Sequence, residues 1–306
     1  MERFDLNILG CGSALPTSKH NLSSQVINLR DKLYMIDCGE GSQLQFRKMK
    51  MNFNRLGHIF LSHLHGDHCF GLPGFISTLG LLGRTADLHI HAQRDAETVF
   101  RPTLDYFCKE LPYQVIFHPF DPFKHERIHE DRSVEVYTIP LKHRVPTAGF
   151  LFAEKPKARH IVRDVCDFYR VPTFRMNEIK AGADFVTEEG ETIPNERLTR
   201  PANPPKRYAY CSDTAYDERI VPIIEGIDLL YHEATFIEED LARAKETYHS
   251  SAKQAALIAQ QAQVKQLVIG HFSARYPNEQ ILLEEARSVF PQTRLASEGM
   301  IVNLGK

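Results

Sequence analysis

The sequence predicts a layered α/β protein, and three observations lead there. Short apolar runs that suit strands alternate along the chain with stretches of helical character. Side chains of the metal-ligand type stand at the ends of several of those runs, where α/β proteins usually place their sites. The 306 residues, 42% hydrophobic and 25% charged, suffice for a large core and are ordinary for a globular chain.

Taken in order, FDLNILGCG (4–12) reads as a strand running into a glycine turn, and SQVINL and KLYMIDCG as two more. The last ends at Asp37 in a glycine-rich turn that opens the helix-like SQLQFRKMK. IFLSHLHGDH follows as strand plus loop, then GLPGFISTLGLLGR as a helical stretch. DLHIHA, QVIFHPF and VEVYTIPLKH read as strands. Residues 154–205 break the pattern: they begin EKPKARH and end in the proline-rich RPANPPKR, so they read as an arm inserted into a single domain spanning 1–306. The core resumes with YAYCSDTA, DLLYHEATF, the helix-like SSAKQAALIAQQA and the strand QLVIGH.

Composition narrows the function classes. No apolar run has the length of a membrane span, and the start MERFDLNILG lacks a secretory pattern, so a cytoplasmic protein with no membrane partner is expected. Six cysteines are scattered without CxxC spacing, which argues for reduced thiols and against a cysteine zinc knuckle. A net charge of −2 gives no global attraction to nucleic acid, so any RNA partner needs a local basic patch.

The densest chemistry is SHLHGDHCFG at 62–71. The spacing of His63, His65, Asp67 and His68 repeats on no helical face, so the cluster is expected in a loop after a strand. His143 follows VYTIPLK, Asp213 follows YAYCS and His271 follows KQLVIG, each at or near the end of an apolar run. Five histidines and two aspartates are too many for one tetrahedral zinc and suit two metals bridged by a carboxylate. The other histidines are assigned elsewhere. His89 and His91 are expected on the polar face of a strand without a third partner. His58 and His118 are expected to be structural, and His20, His125, His129 and His160 solvated.

SHLHGDH matches the HxHxDH motif of the metallo-β-lactamase superfamily, with His143, Asp213 and His271 in the expected order. The resemblance implies an αββα four-layer sandwich with the site at one sheet edge. It implies one zinc on His63, His65 and His143, another on Asp67, His68 and His271, and Asp213 bridging both. HEATF (232–236), YHSSAKQAA (248–256), GHFSARY (270–276), DCGEGSQLQ and the mid-chain arm carry a more specific resemblance over essentially the whole chain. They resemble the short-form ribonuclease Z family of tRNA 3′-processing endonucleases. That implies hydrolysis of a phosphodiester in tRNA precursors, two zinc ions per subunit with manganese possible, and a homodimer in which one subunit's arm presents RNA to the other's site.

The chemistry such a reaction needs can be assigned to residues. Asp67 would ligate metal and accept a proton from the attacking water, and His249, held protonated by Glu233, would protonate the leaving oxygen. Ser250 or Ser251 is placed to cap the helix after His249. Arg275 would stabilise the transition state. Between 154 and 182 seven Lys/Arg face four Asp/Glu, a patch with Phe168, Tyr169 and Phe174 interleaved, from which Arg163, Arg170 and Arg175 are expected to contact RNA phosphates. Two departures concern substrate choice. The family's first loop commonly reads PxKxRN, linked to sensing the CCA end, where residues 16–21 read PTSKHN, and the arm has VPTFRM in place of a Gly-Pro pair. The alternative is a lactone or thioester hydrolase on the same fold, which has no use for the arm or for the Glu233–His249 pair.

Overall fold

The computed structural model describes residues 3–305. Strands β1 (Phe4–Gly10), β2 (Ser24–Leu29), β3 (Lys32–Ile36), β4 (Leu56–Phe60), β5 (Leu88–Gln93) and β6 (Val115–Phe120) come first. They are followed by β7 (Arg127–Glu130), β8 (Val134–Pro140) and β9 (Ala148–Glu154). The two-residue strands β10 (His160–Ile161), β11 (Phe185–Val186), β12 (Thr192–Ile193) and β13 (Thr199–Arg200) belong to the inserted segment. The chain then forms β14 (Arg207–Cys211), β15 (Leu229–Glu233), β16 (Leu267–Gly270), β17 (Thr293–Leu295) and β18 (Ile301–Asn303). Two seven-stranded sheets result, ordered β18-β1-β2-β3-β4-β5-β6 and β17-β16-β15-β14-β9-β8-β7.

Both faces of each sheet are covered, which is why the strands read as apolar runs and not as clean alternation. In β3, Tyr34 and Ile36 join the core between the sheets with Phe150, Phe152 and Tyr208, while Leu33 and Met35 join a second core. That second core is roofed by helices Ser42–Lys48, Leu72–Leu81 and Asp95–Phe107 through Phe46, Phe75, Ile76, Phe100 and Leu104. Helices Ala252–Gln261 and Gln280–Val289 cover the other sheet through their alanine and leucine faces. The layers are α-β-β-α.

Residues 154–205 form a compact unit of their own. Its small core contains Cys166, Val171, Met176, Ile179, Phe185, Ile193 and Leu198.

Three local features depart from expectation. Residues 66–69 of the ligand loop form a single helical turn, with His65 at its N-cap position. Helix Asp95–Phe107 is hidden in the sequence because Pro102 lies inside it; Ala96, Phe100 and Leu104, four apart, still give it a buried stripe. Strand β9, with the sequence AGFLFAE, is a further element that the sequence reading does not anticipate. Ser251, by contrast, does cap helix 252–261, in a full capping box with Gln254.

Glycine sets the register of the two turns that carry the site. Cys38 N–H donates to His68 O (2.7 Å) and Gly71 N–H to Cys38 O (2.9 Å), so the turn after β3 lies directly on the ligand loop. A Cβ on Gly71 would stand 2.1 Å from Gly39 O, and one on Gly39 would stand 2.6 Å from Asp67 O. Both obstacles are backbone and cannot swing away. Gly71→Ala is therefore expected to destabilise the fold by about 1–3 kcal/mol and to loosen metal binding together with it. Denaturant titration and metal counting on the same preparation check this.

Candidate metal centre

The site lies where the parallel strands of both sheets end. β3 delivers Asp37 at its next residue, β15 carries Glu233 as its last, and β16 delivers His271 at its next. Asp213 follows β14 by two residues, and the 63–68 loop follows β4. Asp37, Asp213 and His271 all adopt left-handed backbone (φ 56°, 61° and 61°), a conformation that side-chain-bearing residues hold only when their surroundings enforce it.

Two groups of donors converge, each with its ligand atoms within 4.8 Å of one another: His63, His65, His143 and Asp213, and Asp67, His68 and His271. In the first, His65 Nδ1 lies 3.0 Å from His63 Nε2 and 3.4 Å from His143 Nε2, and Asp213 Oδ2 is 3.7 Å from both Nε2 atoms. In the second, His68 Nε2 lies 3.4 Å from His271 Nε2 and from Asp67 Oδ2. Asp213 Oδ1 completes that group at 3.1 and 3.2 Å from the two imidazoles. Ligands bound to a tetrahedral ion at about 2.0–2.1 Å stand roughly 3.3–3.4 Å apart, so the spacing suits an ion at each centre. The two oxygens of Asp213 face different groups.

Hydrogen bonds on the far side of four rings fix which nitrogen faces inward. His68 Nδ1–H donates to Asp37 Oδ2 (2.7 Å), His143 Nδ1–H to Tyr248 O (3.0 Å) and His271 Nδ1–H to Thr235 Oγ1 (3.0 Å). His63 Nδ1–H donates to Ser62 Oγ (3.0 Å), whose hydroxyl donates to Asp37 Oδ2 (2.9 Å). Asp37 also accepts from Ser62 N–H (2.7 Å) and Tyr210 O–H (2.7 Å) and is fully buried. Inward-facing lone pairs at this spacing repel one another unless a cation lies among them. Burial opposes charge on His68, yet Asp213, Asp67 and Asp37 push its pKa well above the usual range. The chemistry of the donor set therefore fits divalent metal.

Beside the donors, His249 Nδ1 lies 3.0 Å from both carboxylate oxygens of Glu233. The pair is interior, not superficial. Glu233 is completely buried and also accepts from Thr214 N–H (2.5 Å), Thr235 O–H (2.5 Å) and Ser250 N–H (3.2 Å). Burial disfavours a charged His249, but the Glu233 carboxylate outweighs it and lifts the pKa to about 9. Asp67 accepts from Ala14 N–H (2.9 Å). These residues open onto a cavity of about 310 Å³ whose lining includes Arg144, Arg243 and Arg275.

Of the sequence-assigned residues, the seven ligands, His249, Glu233 and Arg275 meet at or around this cavity. Arg275 lies over the Phe236 ring and hydrogen-bonds Asp240 (3.3 Å). Arg163, Arg170 and Arg175 belong to the 154–205 unit; Arg163 pairs with Asp167 (2.9 Å) and Arg175 with Glu178 (3.1 Å). That unit holds nine Lys/Arg and nine Asp/Glu, so the basic excess of 154–182 is local and cancelled further along. His20 is not solvated: its ring nitrogens lie 3.0 Å from Glu279 and 3.1 Å from Glu298. His129 is not solvated either, and it supplies the third partner that His91 was expected to lack.

Sequence reasoning alone does not find Asp37, Ser62, Thr235, Arg144 or Arg243. A signal for Asp37 exists in a carboxylate placed between a strand and a glycine turn, but its partners come from two distant segments, the 62–68 loop and β14. Asp37→Asn retains size and removes the charge that orients His68, so metal affinity is expected to fall about 10–100-fold with unchanged circular dichroism. Competition against a chromogenic chelator measures it.

Known proteins share this architecture. A family model described as Anti-Pycsar protein Apyc1 matches residues 4–152. In solved structures, the short form of human tRNase Z superposes with a TM-score of 0.73 at 23% identity, covering 99% of this chain and 100% of that one. The metallo-beta-lactamase fold protein YhfI from Bacillus subtilis gives 0.69 at 17% identity, covering 99% and 100%. A curated relative from Parabacteroides distasonis, named Ribonuclease Z, is 65% identical over 300 residues, 98% of this chain and 99% of its own length. With that identity sustained from end to end, the chain belongs to the ribonuclease Z family.

Proposed function

We infer that this chain is a metal-dependent endoribonuclease that hydrolyses tRNA precursors at the 3′ trailer and leaves a 3′-hydroxyl on the tRNA. The full-length 65% identity to a ribonuclease Z carries the reading, and the cavity chemistry supports it. A lactone or thioester hydrolase is not favoured: three exposed arginines on the cavity suit a polyanion, not a small acyl group.

We propose that His63, His65 and His143 with Asp213 Oδ2 hold one zinc ion, and Asp67, His68 and His271 with Asp213 Oδ1 the other; the mixed imidazole–carboxylate set also accepts manganese. When bound, such ions lower the pKa of water and neutralise charge on the phosphoryl oxygens. The protein's own part is proton handling and anchorage. Asp67, aligned by Ala14 N–H, is placed to take a proton from the attacking water. Glu233 keeps His249 protonated, so that its other nitrogen can deliver a proton to the departing 3′-oxygen. Arg144, Arg243 and Arg275 are placed to hold the phosphates on either side.

A 3′-extended tRNA precursor should be cut just after the discriminator base, a lactone should be untouched, and chelator should abolish cutting. In the same assay His249→Ala is expected to lower the rate by about 10²–10⁴-fold at unchanged metal content. The loss should shrink on a nitrophenyl phosphodiester, whose leaving group needs no proton. An equal loss on both substrates would assign His249 to structural support.

We further propose that the 154–205 unit grips tRNA through its phosphates and that the enzyme works as a cytoplasmic homodimer. The exposed pair Arg163–Asp167 and the half-exposed pair Arg175–Glu178 are weak enough for a phosphate to displace the carboxylates. Arg163→Ala with Arg170→Ala should raise KM more than it lowers kcat. The salt dependence of tRNA binding should flatten too, its log–log slope falling by about 0.7–0.9 for each phosphate no longer neutralised. A small phosphodiester should be cut as before.

A further inference from the structure

A second group of imidazoles lies between the sheets, away from the cavity. His58 on β4 and His91 on β5 come from one sheet, and His129 on β7 comes from the other. One ring nitrogen from each lies within 4.8 Å of the others. His58 Nδ1 and His91 Nε2 are 3.1 Å apart, close to the edge of a tetrahedron built on bonds of about 2.0–2.1 Å. The His58 and His129 ring centroids are 4.1 Å apart.

The buried Nε2 of His129 has no hydrogen-bond partner among the described residues. His91 is 3% exposed; its Nδ1 is unpaired as well, but it lies across the ring from the Nε2 that meets His58 and does not face the group. Buried nitrogen left unpaired is costly, and a cluster of such rings is a poor way to fill a core unless something binds them. Burial holds His58 and His91 neutral, pushed down to about 3 and about 2, the form in which imidazole donates to metal.

We propose that His58, His91 and His129 form a further metal site, distinct from the cavity, for a single Zn²⁺-like ion that ties β7 of one sheet to β4 and β5 of the other. The donors are all nitrogen. The nearby carboxylate, Asp131, is engaged by Lys32 and the Tyr34 hydroxyl. A three-imidazole set without carboxylate selects zinc, copper or nickel over magnesium, calcium or manganese. The fourth position falls to solvent; His89 stacks on His58 with centroids 4.9 Å apart, but its Nδ1 meets His118 Nε2 at 2.9 Å. His129, half-buried, offers the route of entry. A site of this kind would contribute to stability, because it joins elements from both sheets.

The test is a metal count on the full chain. Protein saturated with Zn²⁺ and freed of loose ion is compared as wild type, His129→Gln and His58→Gln. Each variant should hold one equivalent fewer than wild type, with cleavage of a small phosphodiester unchanged. The reading is a difference of one equivalent, so it succeeds or fails independently of how many ions the cavity holds. Equal counts in all three proteins overturn the site. Should both variants fail to fold by circular dichroism, a chain carrying His63→Ala, His65→Ala and Asp213→Ala decides, because its cavity no longer holds a three-histidine set. That chain should keep zinc in a shell that X-ray absorption reads as histidine nitrogen alone, and its melting temperature should rise with added Zn²⁺. A carboxylate-containing shell, or no retained zinc and no shift, overturns it.

Discussion

A single buried carboxylate organises this protein. Taking Asp37 out of water carries a heavy desolvation cost, and the structure offsets it with donors from Ser62, His68 and Tyr210. Tyr210 comes from β14, in the opposite sheet, so the same charge that aims an imidazole also pins the layers to each other. Asp37 can reach all of them only because it follows β3 in a left-handed turn. The close approach of Gly39 and Gly71 then lets the ligand loop lie against that turn without a gap. Register, layer spacing and ligand direction therefore depend on one another.

The same logic recurs around the cavity. Glu233 is satisfied by Thr214, Thr235 and Ser250 before it meets His249, so its charge is fixed in place and need not reorganise. Thr235 accepts from His271 while donating to Glu233, which joins the Glu233–His249 pair to one donor group through a single hydroxyl. Burial makes each of these bonds stronger and makes the loss of any one more expensive.

How much of this is legible in the sequence depends on distance along the chain. The ligand loop is legible because four donors fall within six positions, and the strand ends carrying Asp213 and His271 are legible because apolar runs stop there. The layers follow from alternation of elements, although burial of both faces hides the inward and outward sides of each strand. Groups that act through tertiary pairing are not legible. The carbonyl of Tyr248 leaves no mark in the side-chain code, and Arg144 and Arg243 lie on unremarkable stretches. His129 resembles a loop residue because β7 is four residues long and has irregular register with β8. The charge of the 154–205 unit is misjudged when the count stops at 182, before the acidic stretch around Glu188, Glu189 and Glu191.

The left-handed residue Tyr248 joins two jobs that a designer would keep apart. Its carbonyl holds the ring of His143, and the next residue along the backbone is His249, the partner of Glu233. An imidazole of the proposed metal set and the proposed proton donor thus hang from adjacent peptide units and cannot be displaced separately. Anything that shifts the 247–250 backbone, a bulky substrate included, moves both side chains in the same movement. The rim arginines Arg144, Arg243 and Arg275, by contrast, carry side chains that can be exchanged without disturbing that shared hinge.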